Sequence, residues 1–155
     1  MIPLDYITEW RQMAPWAQDA QVEQDLVISR ALVHLFQQDE LSTLLAFRGG
    51  TALYKLYLSP PSRYSEDIDL VQMLPSAPGP LIDAMRGTLD LWLGAPRRVI
   101  KEGKVALLYS FRQRASRRSR FASRSRSIRT SSSLSADSYA CPSRCEADGS
   151  AAQRR

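Results

Sequence analysis

The sequence of 155 residues contains few of the side chains that build metal clusters or disulfide frameworks: two cysteines, Cys141 and Cys145, and one histidine, His34. A single Cys-x3-Cys pair without further ligands is weak support for a zinc site. No run of 18 apolar residues is present, which argues against a membrane span. The first residues lack the basic start and apolar stretch of a secretion signal, so we expect a cytoplasmic protein.

Charge is distributed unevenly between two parts of the chain. Residues 1–110 hold 10 Lys and Arg against 13 Asp and Glu, a net charge of −3, whereas residues 111–155 hold 11 Arg against three acids, a net charge of +8. From Arg112 onward the sequence has 12 Ser, no Lys and little aliphatic periodicity. Such a segment cannot bury enough apolar surface to offset its ordering entropy. We therefore predict a folded part over residues 1–111 and a disordered Arg/Ser-rich tail over residues 112–155.

The hydrophobic pattern of the first part predicts helices that alternate with short strands, which indicates an α+β or α/β domain. One long helix is predicted over residues 19–38, and its apolar stripe is formed by Val22, Leu26, Val33 and Phe36. The apolar run 41–47 predicts a strand that leads into Gly49. The other predicted elements are helices at 5–13, 51–57 and 81–92, a buried strand at 68–71, and a hairpin of 97–102 with 105–111 that turns at Gly103.

The sharpest feature is the run Asp67-Ile68-Asp69. On a strand, residues i and i+2 point to the same face, so the two carboxylates are expected side by side with Ile68 buried on the other face. Two adjacent like charges are costly unless a cation neutralises them, and hard oxygen ligands suit Mg²⁺ or Mn²⁺. One interpretation is a metal-binding carboxylate pair. The other is a solvated acidic strand end, because a short Asp-x-Asp run is common by chance.

Residues upstream of the carboxylates favour phosphate chemistry. The run Gly49-Gly50-Thr51 stands between a predicted strand and a predicted helix, where glycines allow a ligand to approach and the helix start presents free N–H groups to phosphate. The Thr51 hydroxyl either caps this helix or donates to a phosphate oxygen. Lys55 follows one turn later, and Arg63 and Ser65 stand just before the acids. Together these groups are suited to a nucleoside triphosphate, although the Gly-Lys-Ser/Thr ending of the Walker loop is absent.

Two segments, Phe47-Arg48-Gly49-Gly50-Thr51-Ala52-Leu53-Tyr54-Lys55 and Arg63-Tyr64-Ser65-Glu66-Asp67-Ile68-Asp69-Leu70, resemble the signature of the AbiEii/AbiGii-type nucleotidyltransferase toxins. This family is part of the DNA polymerase β-like nucleotidyltransferase superfamily. The run Glu23-Gln24-Asp25-Leu26 resembles the N-terminal helix of the family, and the resemblance spans roughly residues 15–111. It implies a minimal nucleotidyltransferase fold of the α+β class, with a small mixed sheet flanked by helices. It also implies a toxin of a bacterial toxin–antitoxin or phage-defence system that transfers a nucleotide from an NTP to an acceptor such as tRNA.

The resemblance implies a role for each matching residue. Asp67 and Asp69 would hold the metal, Mg²⁺ or Mn²⁺, and would act with Lys55 as the catalytic residues. The triphosphate would contact Gly49, Gly50, Thr51, Lys55, Arg63 and Ser65. Lys55 and Arg63 could instead pair with Glu66 at the surface, which remains open at this point. The antitoxin would be a separately encoded helix-turn-helix protein.

Three features of the family are not visible downstream: a third metal carboxylate on a neighbouring strand, a later Lys-x-x-Asp-type helix, and a long helical C-terminal half. The tail acids Asp137, Glu146 and Asp148 follow no strand pattern. Arg/Ser-rich sequence is typical of a GC-rich gene translated out of frame, and one encoding of residues 123–130 gives Glu-Ile-Glu-Ile-Asn-Thr when the frame moves by two bases. We therefore expect a change of frame near Phe111, a missing C-terminal part, and a weakly active or inactive enzyme.

Two other functions remain open from the sequence. An antibiotic-modifying nucleotidyltransferase would use the same glycine and Asp-x-Asp logic, although the run Arg63-x-Ser65-x-Asp67 favours the toxin family. A non-enzymatic protein could bind nucleic acid through phosphate contacts of the 11 tail arginines, with salt-sensitive and unspecific affinity. The tail lacks the interleaved aromatic residues that stack on bases, which argues against this second alternative.

Overall fold

The computed structural model describes residues 2–60, 63–101, 104–112 and 125–133. These ranges contain five helices and five strands. The helices are α1 (Leu4–Met13), α2 (Asp19–Phe36), α3 (Asp39–Leu44), α4 (Gly49–Leu56) and α5 (Pro78–Leu93). The strands are β1 (Leu45–Arg48), β2 (Asp67–Gln72), β3 (Arg97–Lys101), β4 (Lys104–Arg112) and β5 (Ser125–Ser133).

The five strands share one mixed sheet in the order β1-β2-β5-β4-β3. Two antiparallel pairs, β1 with β2 and β3 with β4, form its two sides. The fifth strand joins these pairs, because it lies parallel to β2 and antiparallel to β4. The α+β class predicted from the sequence is confirmed, and so is the hairpin that precedes the tail.

The hydrophobic core joins α2 and α5 to the sheet. Ile28 of α2, Leu89 of α5, Ile68 of β2 and Tyr109 of β4 are all fully buried members of one cluster. The Tyr109 hydroxyl donates to Asp90 Oδ1 of α5 at 2.8 Å, which satisfies the only polar atom of that side chain. Burial and this hydrogen bond raise the pKa of the Tyr109 hydroxyl above its usual range. The contact therefore fixes α5 on the sheet with a neutral donor.

Three residues of the predicted stripe of α2, Val22, Leu26 and Phe36, are buried or partly buried against the core, and Val33 is not. Val22 is buried as expected, whereas Val33 is 53% exposed. The residues that are buried at helical spacing are Gln24, Ile28, Ala31 and Leu35. Asp25 is buried beside this face and bonds to residues of α1 and α4. The rotation of α2 is therefore fixed in part by polar contacts, which apolar spacing alone does not indicate.

The apolar segment 41–47 is divided between a helix and a strand, whereas the sequence predicts one strand. The helix α3 begins at Asp39, and the strand β1 begins only at Leu45. Asp39 and Glu40 occupy the first turn of α3, where carboxylates interact favourably with the exposed N–H groups of a helix start. The acids that end the apolar pattern of α2 therefore begin a new helix.

Residues 125–133 form β5, within the segment for which the sequence predicts a disordered tail. Every position of this strand is in register with β4, and the positions from Arg129 onward are also in register with β2. The segment contains no Gly or Pro, so it can supply backbone donors and acceptors to both neighbours. Backbone pairing between two strands thus places a segment that lacks a hydrophobic pattern.

Several sequence-based predictions fall outside the described residues. They are the turn at Gly103, the cysteine pair Cys141 and Cys145, and the tail acids Asp137, Glu146 and Asp148. Within the described ranges, no helix is long and apolar enough to cross a membrane.

Candidate functional site

The carboxylates of Asp67 and Asp69 lie on one face of β2, as the sequence predicts. Burial alternates along the strand, with Ile68 and Leu70 buried and the two aspartates half-buried. The strand pleat directs successive side chains to opposite faces, so the apolar residues enter the core while the acids face the other way. The fold therefore holds two carboxylates side by side on a rigid strand.

The start of α4 lies directly against this carboxylate pair. In the antiparallel register of β1 and β2, Arg48 is opposite Asp69, so the chain leaves β1 beside that residue. Gly49 follows with φ of 83°, a left-handed conformation that favours glycine. A Cβ atom at Gly49 would collide with Asp69 Oδ2. The missing side chain at Gly49 thus allows the helix start and the carboxylate to approach each other.

Arg63 and Ser65 come to the same place from the segment that precedes β2. A Cβ atom at Gly50 would lie 3.2 Å from Arg63 Nη2 and 3.4 Å from Ser65 Oγ. One guanidinium and one hydroxyl therefore lie beside the first turn of α4. The structure brings together five of the residues that the sequence singled out: Gly49, Gly50, Arg63, Ser65 and Asp69.

Thr51 has a structural contact of its own. It is fully buried, and its hydroxyl donates to the backbone carbonyl of Asp67. A hydroxyl has one proton to donate, so this contact occupies the donor that the sequence analysis offered to a phosphate. Thr51 thereby ties the first turn of α4 to the strand that carries the acids. The N-cap residue Arg48 makes no side-chain cap bond to the helix start.

Lys55 contacts α2 in this structure. Its Nζ donates to Asp25 Oδ1 at 2.9 Å and to Ser29 Oγ at 2.7 Å, and its side chain is only 15% exposed. Pairing with Glu66 at the surface, which the sequence left open, is therefore not the arrangement that forms. Lys55 would reach a phosphate only by leaving Asp25 and Ser29.

Asp25 is the residue at this place that sequence reasoning did not single out. Its buried carboxylate also accepts hydrogen bonds from Trp10 Nε1 at 2.9 Å and from the Tyr54 hydroxyl at 2.6 Å. Burial, followed by the bond to Asp25 and its negative charge, raises the pKa of the Tyr54 hydroxyl far above its usual range. The signal in the sequence was an acid within an apolar helix, but the partners come from 15 to 30 positions away.

The paired acids fit a divalent cation, but the described residues supply only two such ligands here. No group of three or more His, Cys, Asp or Glu side chains placed to hold a metal is found among the residues that the structure describes. The strand next to β2 is β5, and its register sets Arg129 opposite Asp67 and Ser131 opposite Asp69. The sequence of β5 contains no acid. A third carboxylate on this neighbouring strand is therefore absent.

Comparison with known proteins assigns the family. The sequence profile described as nucleotidyl transferase AbiEii toxin, type IV TA system, matches residues 30–136. The chain belongs to this family. Membership makes it a nucleotidyltransferase toxin by descent and implies an NTP substrate and an antitoxin partner. A search of curated proteins found no match.

The match extends further than the resemblance visible in the motifs. It begins within α2 after Asp25, includes the segment from Gly49 to Asp69, and ends after β5. Residues 112–136 therefore lie inside the family match, although the motifs end near Phe111. This extension agrees with the position of β5 inside the sheet.

The close approach of Gly49 to Asp69 can be tested by the energetic coupling between substitutions at these two positions. We expect Gly49→Ala to lower the free energy of unfolding by about 1–3 kcal/mol from backbone strain and by a similar amount from overpacking. In an Asp69→Ala background the collision with Oδ2 is gone, so the cost should fall by roughly 0.5–3 kcal/mol. Urea unfolding of the single and double variants measures this difference.

Gly94 provides the matched control, because its φ is 82° and a Cβ there would meet no atom within 4 Å. Gly94→Ala should cost the same with Asp69 or Ala at position 69, to within about 0.5 kcal/mol. Equal coupling at Gly49 and Gly94 would contradict the assigned contact.

Proposed function

We propose that this protein binds an NTP together with Mg²⁺ or Mn²⁺ at the junction of α4 and β2. The observation that carries the proposal is the approach of Gly49 to Asp69, which sets a helix start beside two carboxylates. Free N–H groups and the positive end of the helix dipole favour phosphate at such a start. A divalent ion between phosphate and carboxylates would neutralise both. The phosphates would thus lie at the helix start and the metal at the carboxylates, within one small region.

Each residue has a proposed role that follows from its position. Asp67 and Asp69 hold the metal, the backbone of Gly49 and Gly50 contacts the phosphates, and Arg63 and Ser65 bind phosphate oxygens. Thr51 acts through the position of the helix, since its hydroxyl is occupied by Asp67. Lys55 is assigned to the phosphates by family resemblance, but its partners here are Asp25 and Ser29, so we place it outside the phosphate-binding set.

The reaction proposed for the family is transfer of a nucleotide to an acceptor, with tRNA or another RNA as the acceptor class. An acceptor oxygen forms a bond to the α-phosphorus, the bond from that phosphorus to the bridging oxygen breaks, and pyrophosphate leaves. The metal supplies charge stabilisation at the phosphates when it is bound. We further propose a separately encoded helix-turn-helix antitoxin as the partner, on family resemblance.

Weak or absent transfer is part of the proposal. In-line transfer at a phosphate is commonly driven by two metal ions, and two carboxylates without a third ligand hold one ion better than two. Electrostatic stabilisation by positioned charge is a large part of such catalysis, so the missing acid should lower the rate by orders of magnitude. Binding of the nucleotide depends mainly on the helix start and the two carboxylates, which this protein has.

The proposal predicts metal-dependent binding of NTP that needs both aspartates. The full chain is incubated with labelled ATP, CTP, GTP or UTP, Mg²⁺ and total tRNA, and bound and transferred label are measured separately. We expect binding by the wild type and its loss in the Asp67→Ala, Asp69→Ala double variant. A matched variant, Asp5→Ala with Asp83→Ala, removes the same charge from exposed positions on α1 and α5 and should bind as the wild type does.

Binding that persists without Asp67 and Asp69, or that is absent from the wild type, would contradict the proposed site. Rapid transfer by the wild type would contradict only the proposal that nucleotide transfer is weak or absent. A label that appears on a small-molecule acceptor and not on tRNA would favour the antibiotic-modifying alternative.

The missing third carboxylate gives a second prediction. Because Arg129 is opposite Asp67 in the parallel register, Arg129→Asp puts an acid at the nearest position on β5. We expect transfer to rise by roughly 10-fold or more, the scale on which ligand environment alters metal sites. Arg126→Asp makes the same charge change three residues away and out of phase along the strand, so it should leave transfer unchanged. Equal effects of the two substitutions would argue against a ligand position at Arg129.

We also propose that a change of reading frame produced the Arg/Ser-rich sequence from about residue 112. The support is the composition of that segment and the acidic, alternating strand that one possible codon choice for residues 123–130 gives when the frame is shifted. Sequencing the gene tests this directly, and we expect the acidic strand in another frame. An uninterrupted frame without such a strand would identify residues 112–136 as native sequence of a divergent family member.

A further inference from the structure

Asp25 is a buried charge whose partners all come from side chains. It is 3% exposed, and burial of a carboxylate is costly unless it is paired and hydrogen-bonded. Trp10 binds Oδ2, while Tyr54 and Lys55 both bind Oδ1. Ser29 completes the group, because its hydroxyl accepts from Lys55 and donates to the backbone carbonyl of Asp25 at 2.8 Å. Helices α1, α2 and α4 thus meet at one carboxylate.

The helix α4 has little apolar packing of its own. It has only eight residues, and only Thr51 and Ala52 are buried. Leu53 is 52% exposed and Leu56 is 61% exposed, so apolar packing does little to hold the helix. A helix this short is also marginal by itself. Its position must therefore come from tertiary contacts.

Those contacts hold α4 at both of its ends. The first turn is tied to β2 by Thr51, and the last turn is tied to α2 by Tyr54 and Lys55. The helix spans about 12 Å, and an α-helix moves nearly as a rigid body. A shift at Asp25 would consequently tilt the helix start at Gly49 relative to Asp69. The Gly49 contact leaves little room for such a tilt.

We propose that Asp25 is a positioning residue for the nucleotide site, acting through Lys55 and Tyr54 on the placement of α4. It touches neither phosphate nor metal in this arrangement. The proposal rests on the proposed function, since the site that Asp25 positions is the NTP site at Gly49 and Asp69. Outer partners of this kind typically alter affinity or activity by 10–100-fold when they are removed.

The variant Asp25→Asn keeps the side-chain shape and removes the charge that Lys55 needs. Asp90→Asn is the matched control, because Asp90 also accepts from a buried tyrosine, Tyr109, and also pairs with a cation, Arg86. That network lies on α5 and β4, outside the candidate site. Each variant removes the charge of a carboxylate that binds a tyrosine and a cation, and the side chain of Asp90 is 25% exposed against 4% for Asp25.

Two measurements on the full chain test the proposal. Equilibrium dialysis with Mg²⁺ and ATP, well below the melting temperature of each variant, should show affinity reduced about 10-fold or more in Asp25→Asn and within twofold of wild type in Asp90→Asn. Hydrogen exchange of the peptide covering residues 47–56 should be at least about tenfold faster in Asp25→Asn only. If Asp25→Asn does not fold, Tyr54→Phe removes a single donor and should show the same changes at smaller size.

The outcomes separate this proposal from the proposed function. A folded Asp25→Asn variant with wild-type ATP affinity and wild-type exchange in residues 47–56 would overturn the positioning role and leave the NTP site intact. A wild type without ATP affinity would overturn the NTP site. In that case the exchange data still decide whether Asp25 holds α4, and unchanged exchange would overturn that as well.

Discussion

The space left at Gly49 is the constraint on which this structure depends. The chain must leave β1 opposite Asp69 and enter α4 at once, with no room for a side chain between helix and carboxylate. A positive φ accommodates the turn, and glycine tolerates it without strain. The same geometry that permits the turn places helix N–H groups beside two carboxylates. Local backbone geometry and the proposed phosphate–metal chemistry therefore have a common origin.

Burying the Asp25–Lys55 pair is an unusual way to attach a helix, because apolar residues of similar volume often stabilise a core as well or better. A charge pair adds a directional constraint on where the helix can lie. Asp25 accepts from Trp10 at one oxygen and from Tyr54 and Lys55 at the other, so these bonds limit where α4 can lie. A short, exposed helix at a ligand site gains more from one defined placement than from extra apolar area.

Local patterns predicted the parts of the site that are local in sequence. The alternation on β2 was enough to place Asp67 and Asp69 on one face, because a strand has a period of two residues. The glycine pair at the start of α4 was enough to place Gly49, because only a residue without a side chain fits there. Family resemblance assigns Lys55 to the phosphates, and helical spacing gives the direction of its side chain but not its partner in this structure. That partner, Asp25, is 30 positions earlier, and no local rule couples the two. The burial of Asp25 on α2 was not predicted for the same reason.

The strand β5 shows that a position in the sheet can be filled without the side chains that metal binding needs. A central strand is held by hydrogen bonds of its backbone to both neighbours, and these form with serine and arginine as they would with any residue but proline. The position beside β2 can thus be filled by a sequence without acids. A metal site at that position needs a side chain with an oxygen ligand. Backbone pairing does not determine which side chain stands there. Backbone pairing therefore completes the five-stranded sheet although Arg129, and not an acid, is opposite Asp67.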